Sequence, residues 1–302
     1  MDWAIFCALS LLWASAYAMT RGAVQTLPVE AIIPARLGIG AIVLNIALVF
    51  SGSRYPPLSD RKRWATMLAM GFIGMTGPFY LITTAQQTVD SSLAALYVAA
   101  TPIFVTLGAV VFYPDERLTP MGRLGIGIGF LGVVVLFAPD VMVNFGSASV
   151  IAQALLLIAT AFYASSTLLA RGAPPMPSIV FASGFVSLAA VLSLPMLLRV
   201  DWASVSPSAS SIGSVIGLGI GPSAIASLLY MALVKRAGAT FLSLTGYAIP
   251  ILSAIIGWIL FREPQSWNTA LAFALILGGV YLAQRQPASQ ADLIDETRPQ
   301  SP

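Results

Sequence analysis

Apolar residues run along this chain in long unbroken stretches parted by short polar connections, and the every-second-residue alternation of a half-buried strand is absent. Ten stretches can be counted, near residues 3–20, 30–50, 64–84, 91–113, 121–138, 148–170, 177–198, 211–234, 240–261 and 267–284. An α-helix rising about 1.5 Å per residue crosses a hydrocarbon layer of about 30 Å in roughly 20 residues, the length of these stretches. Lipid offers no partner to backbone N–H and C=O groups, so only helices or closed barrels cross it, and the missing alternation argues against a barrel. The pattern therefore predicts an all-α membrane protein of ten transmembrane helices.

The stretches are written twice. Residues 11–23 (LLWASAYAMTRGA) and 161–173 (AFYASSTLLARGA) share Ala14/Ala164, Ser15/Ser165 and all of Arg21-Gly22-Ala23/Arg171-Gly172-Ala173, with Trp13 opposite Tyr163. The echo continues with Gly77-Pro78/Gly221-Pro222, Pro102/Pro250, Glu116/Glu263 and Gly132-Val133/Gly279-Val280, at spacings of 144 to 148. Five stretches fall in each copy, so residues 1–140 and 141–286 form two repeats and 287–302 a tail. An odd number of crossings turns the second copy upside down, and inverted repeats around a central cavity are a recurring construction of secondary transporters.

Charge gives the pattern a direction. With the N-terminus inside, the inner connections and tail hold Arg54, Arg61, Lys62, Arg63, Arg117, Arg123, Arg171, Lys235, Arg236, Arg285 and Arg298, whereas the outer connections hold Arg21, Arg199 and Arg262. Lys and Arg favour the cytoplasmic side, so both termini are expected there, in the cytoplasmic (inner) membrane. The net charge of +3 reflects this asymmetry, so the bilayer is the expected partner and a nucleic acid is not. Composition agrees: 58% of the 302 residues are hydrophobic and 9% charged, with a mean hydropathy of +0.87, against about a quarter charged in a soluble domain. Ala14-Ser15-Ala16 resembles a signal-peptidase site, but Asp2 and the lack of Lys or Arg before it favour a retained helix. The polar, Pro-containing tail after Gln284 is expected to be disordered.

The inventory of reactive groups argues against catalysis. The chain has no His and one Cys, Cys7, so metal hydrolases, Ser/His proteases and Cys/His nucleophiles each lack a member, and neither a metal nor a cofactor is expected. No GxxxxGK[ST] phosphate loop is present. Gly125-x-Gly127-x-Gly129 lies inside an apolar stretch, where helix packing explains it. A lipid-modifying enzyme would need a cluster of carboxylates or His on one face, and a non-transporting scaffold remains the other alternative.

Residues 101–139 (TPIFVTLGAVVFYPDERLTPMGRLGIGIGFLGVVVLFAP) resemble the most recognisable stretch of EamA-type carriers of the drug/metabolite transporter superfamily: a Pro-kinked helix, an acidic-Arg-Leu-Thr turn, then a Gly-rich helix. Residues 249–282 repeat the plan with Pro250, Glu263 and Gly278-Gly279, and 11–23 and Arg36-Leu37-Gly38 resemble the family's first two helices. The turn departs from the family pattern at Tyr113-Pro114-Asp115-Glu116-Arg117, and in the second copy at Arg262-Glu263-Pro264. The resemblance implies ten helices in two inverted halves, a central cavity and ATP-independent transport of a small metabolite. It also implies similarity to bacterial exporters of amino acids, aromatic ones included. Multidrug efflux stays open beside it.

Candidate substrate contacts are aromatic rings joined to hydroxyls at helical spacing: Trp13 and Tyr17; Tyr80, Thr84 and Gln87; Tyr97 and Thr101; Tyr163 and Thr167; Ser223, Ser227 and Tyr230; Ser243 and Tyr247. Such stripes are costly against lipid and should face a cavity, where they suit a ligand with an apolar body and a few hydrogen-bonding groups. Tyr113 and Trp267 read instead as interfacial anchors. Pro102 and Pro250 each free a backbone carbonyl and kink a helix, which makes a pair of gating helices. Arg36, inside the second stretch, has two readings: a structural tether, or a contact for an anionic substrate group. Coupling to protons would have to use groups nearer the surface, such as Glu30, Asp90 or Glu263. The small-residue stripes Gly125-Gly129 and Gly213-Gly217-Gly221 fit packing within one monomer, with a dimer as the alternative.

Overall fold

A computed structural model describes residues 2–112, 119–144, 146–263 and 266–284. The described residues are helical and contain no strand. The first half holds α1 (Asp2–Ala23), α2 (Val29–Phe50), α3 (Arg61–Gly71), α4 (Gly77–Ala85), α5 (Ser91–Ala99), α6 (Thr101–Phe112) and α7 (Pro120–Asn144). The second holds α8 (Ala148–Arg171), α9 (Ser178–Ser193), α10 (Ala209–Leu218), α11 (Ala226–Ser243), α12 (Thr245–Phe261) and α13 (Trp267–Gln284). Among the described residues eight helical spans are long and apolar enough to cross a membrane, and Thr245–Phe261 and Trp267–Ala283 are shorter apolar helices. Tyr113, Asp115, Glu116 and the tail lie outside the described residues.

Helix starts obey local chemistry. Asp60, Ser147 and Ser208 each accept a hydrogen bond from the backbone N–H three residues on, the N-cap arrangement. The third and eighth stretches are each interrupted by a π-helical segment, Phe72–Thr76 between α3 and α4 and Gly219–Ile225 between α10 and α11. Both lie at the repeated Gly-Pro pair. Pro78 and Pro222 have no N–H for the carbonyl four residues back, and the ladder slips: Gly77 N–H donates to Phe72 O, and Ala226 N–H to Gly221 O, each five residues back.

The helices pack in repeat-related pairs. α2 lies on α9, α7 on α13 and α5 on α12; α8 packs against α4 and α6 as α1 packs against α11 and α12. With α5 and α6 taken as one stretch and α12 as its counterpart, exchanging each stretch for its counterpart leaves these pairings unchanged. The tightest contact joins α7 to α13, where a Cβ on Gly125 would meet the backbone of Gly279 and Ala283, and one on Gly279 the backbone of Gly129. Gly217 and Gly221 face Met19 and Leu12 of α1. Gly125 and Gly129, and Gly217 and Gly221 of the second stripe, thus serve contacts inside the chain, whereas Gly213 has open space beside it.

Two boundaries differ from the hydropathy pattern. At Pro102 the span breaks at Ala100, and α6 begins with Pro102 as its second residue, where the missing N–H costs nothing. At Pro250 the break comes six residues earlier, at Leu244, and Pro250 is buried inside α12. Consequently α11 runs through the expected connection at 235–239 to Ser243, a segment whose Lys, Arg and Ala are good helix formers.

Candidate functional site

Between the halves lies a cavity of about 680 Å³, within the range of small-molecule sites. One wall is α1, through Trp13, Tyr17 and Thr20; facing it is α8, through Tyr163, Ser166 and Thr167. Between them stand Phe79, Ile82 and Thr83 of α4, Arg36 of α2, Phe181 and Phe185 of α9, and Ser227, Tyr230 and Met231 of α11. Trp13 and Tyr230 bring one aromatic residue from each half into contact, ring centroids 5.9 Å apart at 48°. Ser166 and Thr167 donate their hydroxyl protons to Tyr163 O, and Ser227 to Ser223 O, leaving oxygen lone pairs as acceptors. The cavity reaches the connection between α8 and α9 through Ala173, Pro174, Pro175 and Met176.

Arg36 is held by groups from both halves. Its Nε donates to Ser223 Oγ at 3.0 Å, and its guanidinium carbon lies 3.7 Å from the Phe79 ring centroid. Phe79 and Ser223 come just after the repeated Gly-Pro pairs at the common spacing of 144, so the two copies grip one side chain with equivalent positions. Arg36 is 7% exposed, and no described carboxylate lies within ion-pair distance of it.

The end of the bundle away from the α8–α9 connection is closed by polar contacts. Arg21 donates to Gln86 O at 2.8 Å, Gln86 Nε2 donates to Tyr17 O at 2.9 Å, and Arg21 lies 3.7 Å from Asp90. Glu263, 3% exposed, accepts from Ser91 N (2.8 Å), Ser91 Oγ (2.7 Å) and Ser92 N (3.0 Å), capping α5. Arg262 turns the chain with a left-handed φ of 54°, and Gly257 leaves the room that the Glu263 carboxylate fills. Burial, then the nearby Glu263, hold the Asp90 carboxyl above the usual carboxylate range, against the opposing pull of Arg21.

Of the residues expected at a site, Trp13, Tyr17, Arg36, Tyr163 and Tyr230 line the cavity, whereas Tyr80, Thr84, Tyr97 and Tyr247 do not. Tyr97 is fully buried in the core and donates to Gln153 Oε1 at 2.6 Å; its neighbour Val98 meets the cavity. Tyr80 packs against the buried cluster of Val29, Ile33, Leu37, Phe79 and Ala189, and the Thr84 oxygen is buried without a hydrogen-bond partner. Phe79, Ile82 and Thr83 take their place, because the preceding π-turn inserts a residue and rotates the rest of the helix by about 100°. Tyr247 joins the core around Tyr97, and Ile249 faces the cavity, because the helix restarts at Thr245. Sequence reasoning missed Phe79 and Thr83, although the repeated Gly-Pro pair marked their neighbourhood. Trp267, 78% exposed, begins α13, and Tyr113 lies outside the described residues.

Apolar helical spans enclosing a mostly apolar, aromatic cavity edged by a few hydroxyls define an integral membrane protein with an internal cavity. The chain belongs to the EamA-like transporter family, whose model matches residues 2–138 and again 150–284. It is 26% identical to an uncharacterized transporter of Archaeoglobus fulgidus over 94% of this chain and 99% of that one. It is 29% identical to the aromatic amino acid exporter YddG of Ancylobacter novellus (74% and 77%), and 25% identical to a probable terminal-alkyne amino-acid exporter of Streptantibioticus cattleyicolor (94% and 93%). A solved crystal structure matches with a TM-score of 0.66 over 92% of this chain and 95% of that one, at 24% identity, a likeness of fold alone. The protein is a transporter.

Proposed function

We propose that this transporter is a secondary carrier that exports small metabolites, chiefly amino acids with neutral or aromatic side chains, by alternating access through the cavity between its halves. The carrying observation is the cavity itself: about 680 Å³, walled by rings and hydroxyls that both halves contribute. Trp13, Tyr17, Tyr163 and Tyr230 embrace the apolar body of the substrate, while Thr20, Thr83, Ser166 and Thr167 serve its hydrogen-bonding groups. The naming of two relatives as amino-acid exporters supports the substrate class.

On this proposal the chain crosses the inner membrane ten times as two inverted five-helix repeats, with both termini and the α8–α9 connection in the cytoplasm. The cavity then opens inward, and the contacts around Arg21, Gln86 and Glu263 close the outer end. The breaks at Ala100 and Leu244, which precede Pro102 and Pro250, supply the bending of two repeat-related spans during exchange. Both halves of one chain line the cavity, and the monomer is taken as the working unit. Liposomes containing the purified protein and loaded with unlabelled amino acids test the substrate class. Counterflow of labelled neutral and aromatic amino acids is expected; exchange confined to cationic drugs would replace it with multidrug efflux, and no exchange of any amino acid refutes it.

A further inference from the structure

We propose that Arg36 is the recognition residue for a substrate carboxylate, and that this cavity reads the negative end of its ligand by charge while offering an amino group no charged partner among the described lining residues. The inference rests on the carrier proposal and narrows its substrate class to small monoanions and zwitterions with an apolar body.

Three observations converge on it. First, among the described cavity-lining residues Arg36 is the one charged group; no Asp, Glu or Lys shares the wall. A cation deep in a membrane protein without a counter-charge is costly, and an anionic ligand supplies what the protein omits. Second, its geometry is prearranged. The Ser223 hydroxyl takes Nε and the Phe79 ring takes one face of the plane. Neither terminal Nη group has a protein acceptor among the described residues, which leaves the two-pronged edge that matches a carboxylate. Third, the charge breaks the repeat symmetry. Spacings of 144 to 150 place the counterpart of Arg36 within 180–186 (VFASGFV), which holds no ionisable side chain. Phe79 and Ser223, themselves repeat counterparts, therefore converge on a cation that only one half supplies. A lone anchor of this kind suits one carboxylate; a phosphate dianion would call for further cations, and a cationic drug meets repulsion.

The test uses binding, read as thermal stabilisation of purified protein, and competition for counterflow. The probes are phenylalanine, leucine and threonine, each beside its carboxamide, with 3-phenylpropanoate as an acid lacking the amine. Acids are expected to bind about ten- to a hundredfold more tightly than the matching carboxamides, the range of a charge-assisted hydrogen-bonded contact. 3-Phenylpropanoate should compete about as well as phenylalanine. Arg36→Gln should abolish the preference for acid over carboxamide, and Arg36→Lys should keep part of it; Ser223→Ala, which leaves the charge in place, should weaken it. Equal binding of acid and carboxamide by the unaltered protein overturns this inference and leaves the carrier proposal standing. Silence across the whole panel removes both. A preference that survives Arg36→Gln assigns carboxylate recognition elsewhere and overturns it as well.

Discussion

At the scale of single residues, two tyrosines that look alike in the sequence have different duties. Tyr163 reaches the cavity, whereas Tyr97 spends its hydroxyl on Gln153 at 2.6 Å inside the core. Losing one buried side-chain hydrogen bond costs about 0.5–1.5 kcal/mol. Tyr97→Phe is therefore expected to lower the thermal midpoint of the detergent-purified protein while leaving amino-acid counterflow per folded molecule unchanged. Tyr163→Ala should do the reverse: weaker counterflow, with a smaller effect on the midpoint. The exchange of these two outcomes would move the site to Tyr97. Nothing local distinguished the pair, since each is a ring with a threonine four positions later; the partner of Tyr97 is 56 residues away. Gln153, an amide inside an apolar stretch, was the available hint.

Elements differ in how much their own sequence decides. The apolar stretches specified most helices, because lipid permits no other way to pair the backbone groups. Their phases were harder to read. Each Gly-Pro pair introduces a π-turn, and the faces beyond it rotate, which is why the cavity meets Phe79 and Thr83 rather than Tyr80 and Thr84. The pairing of α7 with α13 shows the opposite case, a contact foreshadowed by glycine. At Gly279 a Cβ would collide with the Gly129 backbone, whereas around Gly278 there is open space. Gly279→Ala should destabilise by about 1–3 kcal/mol, the usual cost of overpacking. Gly278→Ala, one residue away, should be close to neutral; a matched loss in denaturation midpoint for both would show that helix propensity, not contact, governs these positions.

For the whole molecule, the repeat-related packing pairs α1 with α8 as opposite walls of the cavity and gathers both copies around Arg36. The inverted arrangement proposed for the halves assigns the connections to sides. In a Cys7→Ser background, Pro175→Cys in the α8–α9 connection should react with a membrane-impermeant maleimide from the cytoplasmic side alone. Ser204→Cys, exposed in the connection before α10, should react from the outer side alone. Both reacting from one side would refute the proposed topology. The same experiment reports the state of the cavity, since Thr167→Cys should be reached from the side on which Pro175→Cys is labelled.

The sequence by itself determined the helical class, the duplication and the candidate chemistry, because each rests on local facts: stretch length, self-similarity at fixed spacing, and an inventory without His. It also named Trp13, Tyr17, Arg36, Tyr163 and Tyr230, all of which line the cavity. The tertiary structure alone decided which face each helix turns inward, since a slip of one residue rotates a side chain by about 100° and periodicity cannot see a π-turn or a restart at Thr245. It also decided the surroundings of Arg36. The sequence left tether and anion contact as alternatives; the fold ties Nε to Ser223 and leaves the Nη edge without a protein acceptor among the described residues, the edge that the proposed carboxylate contact would use.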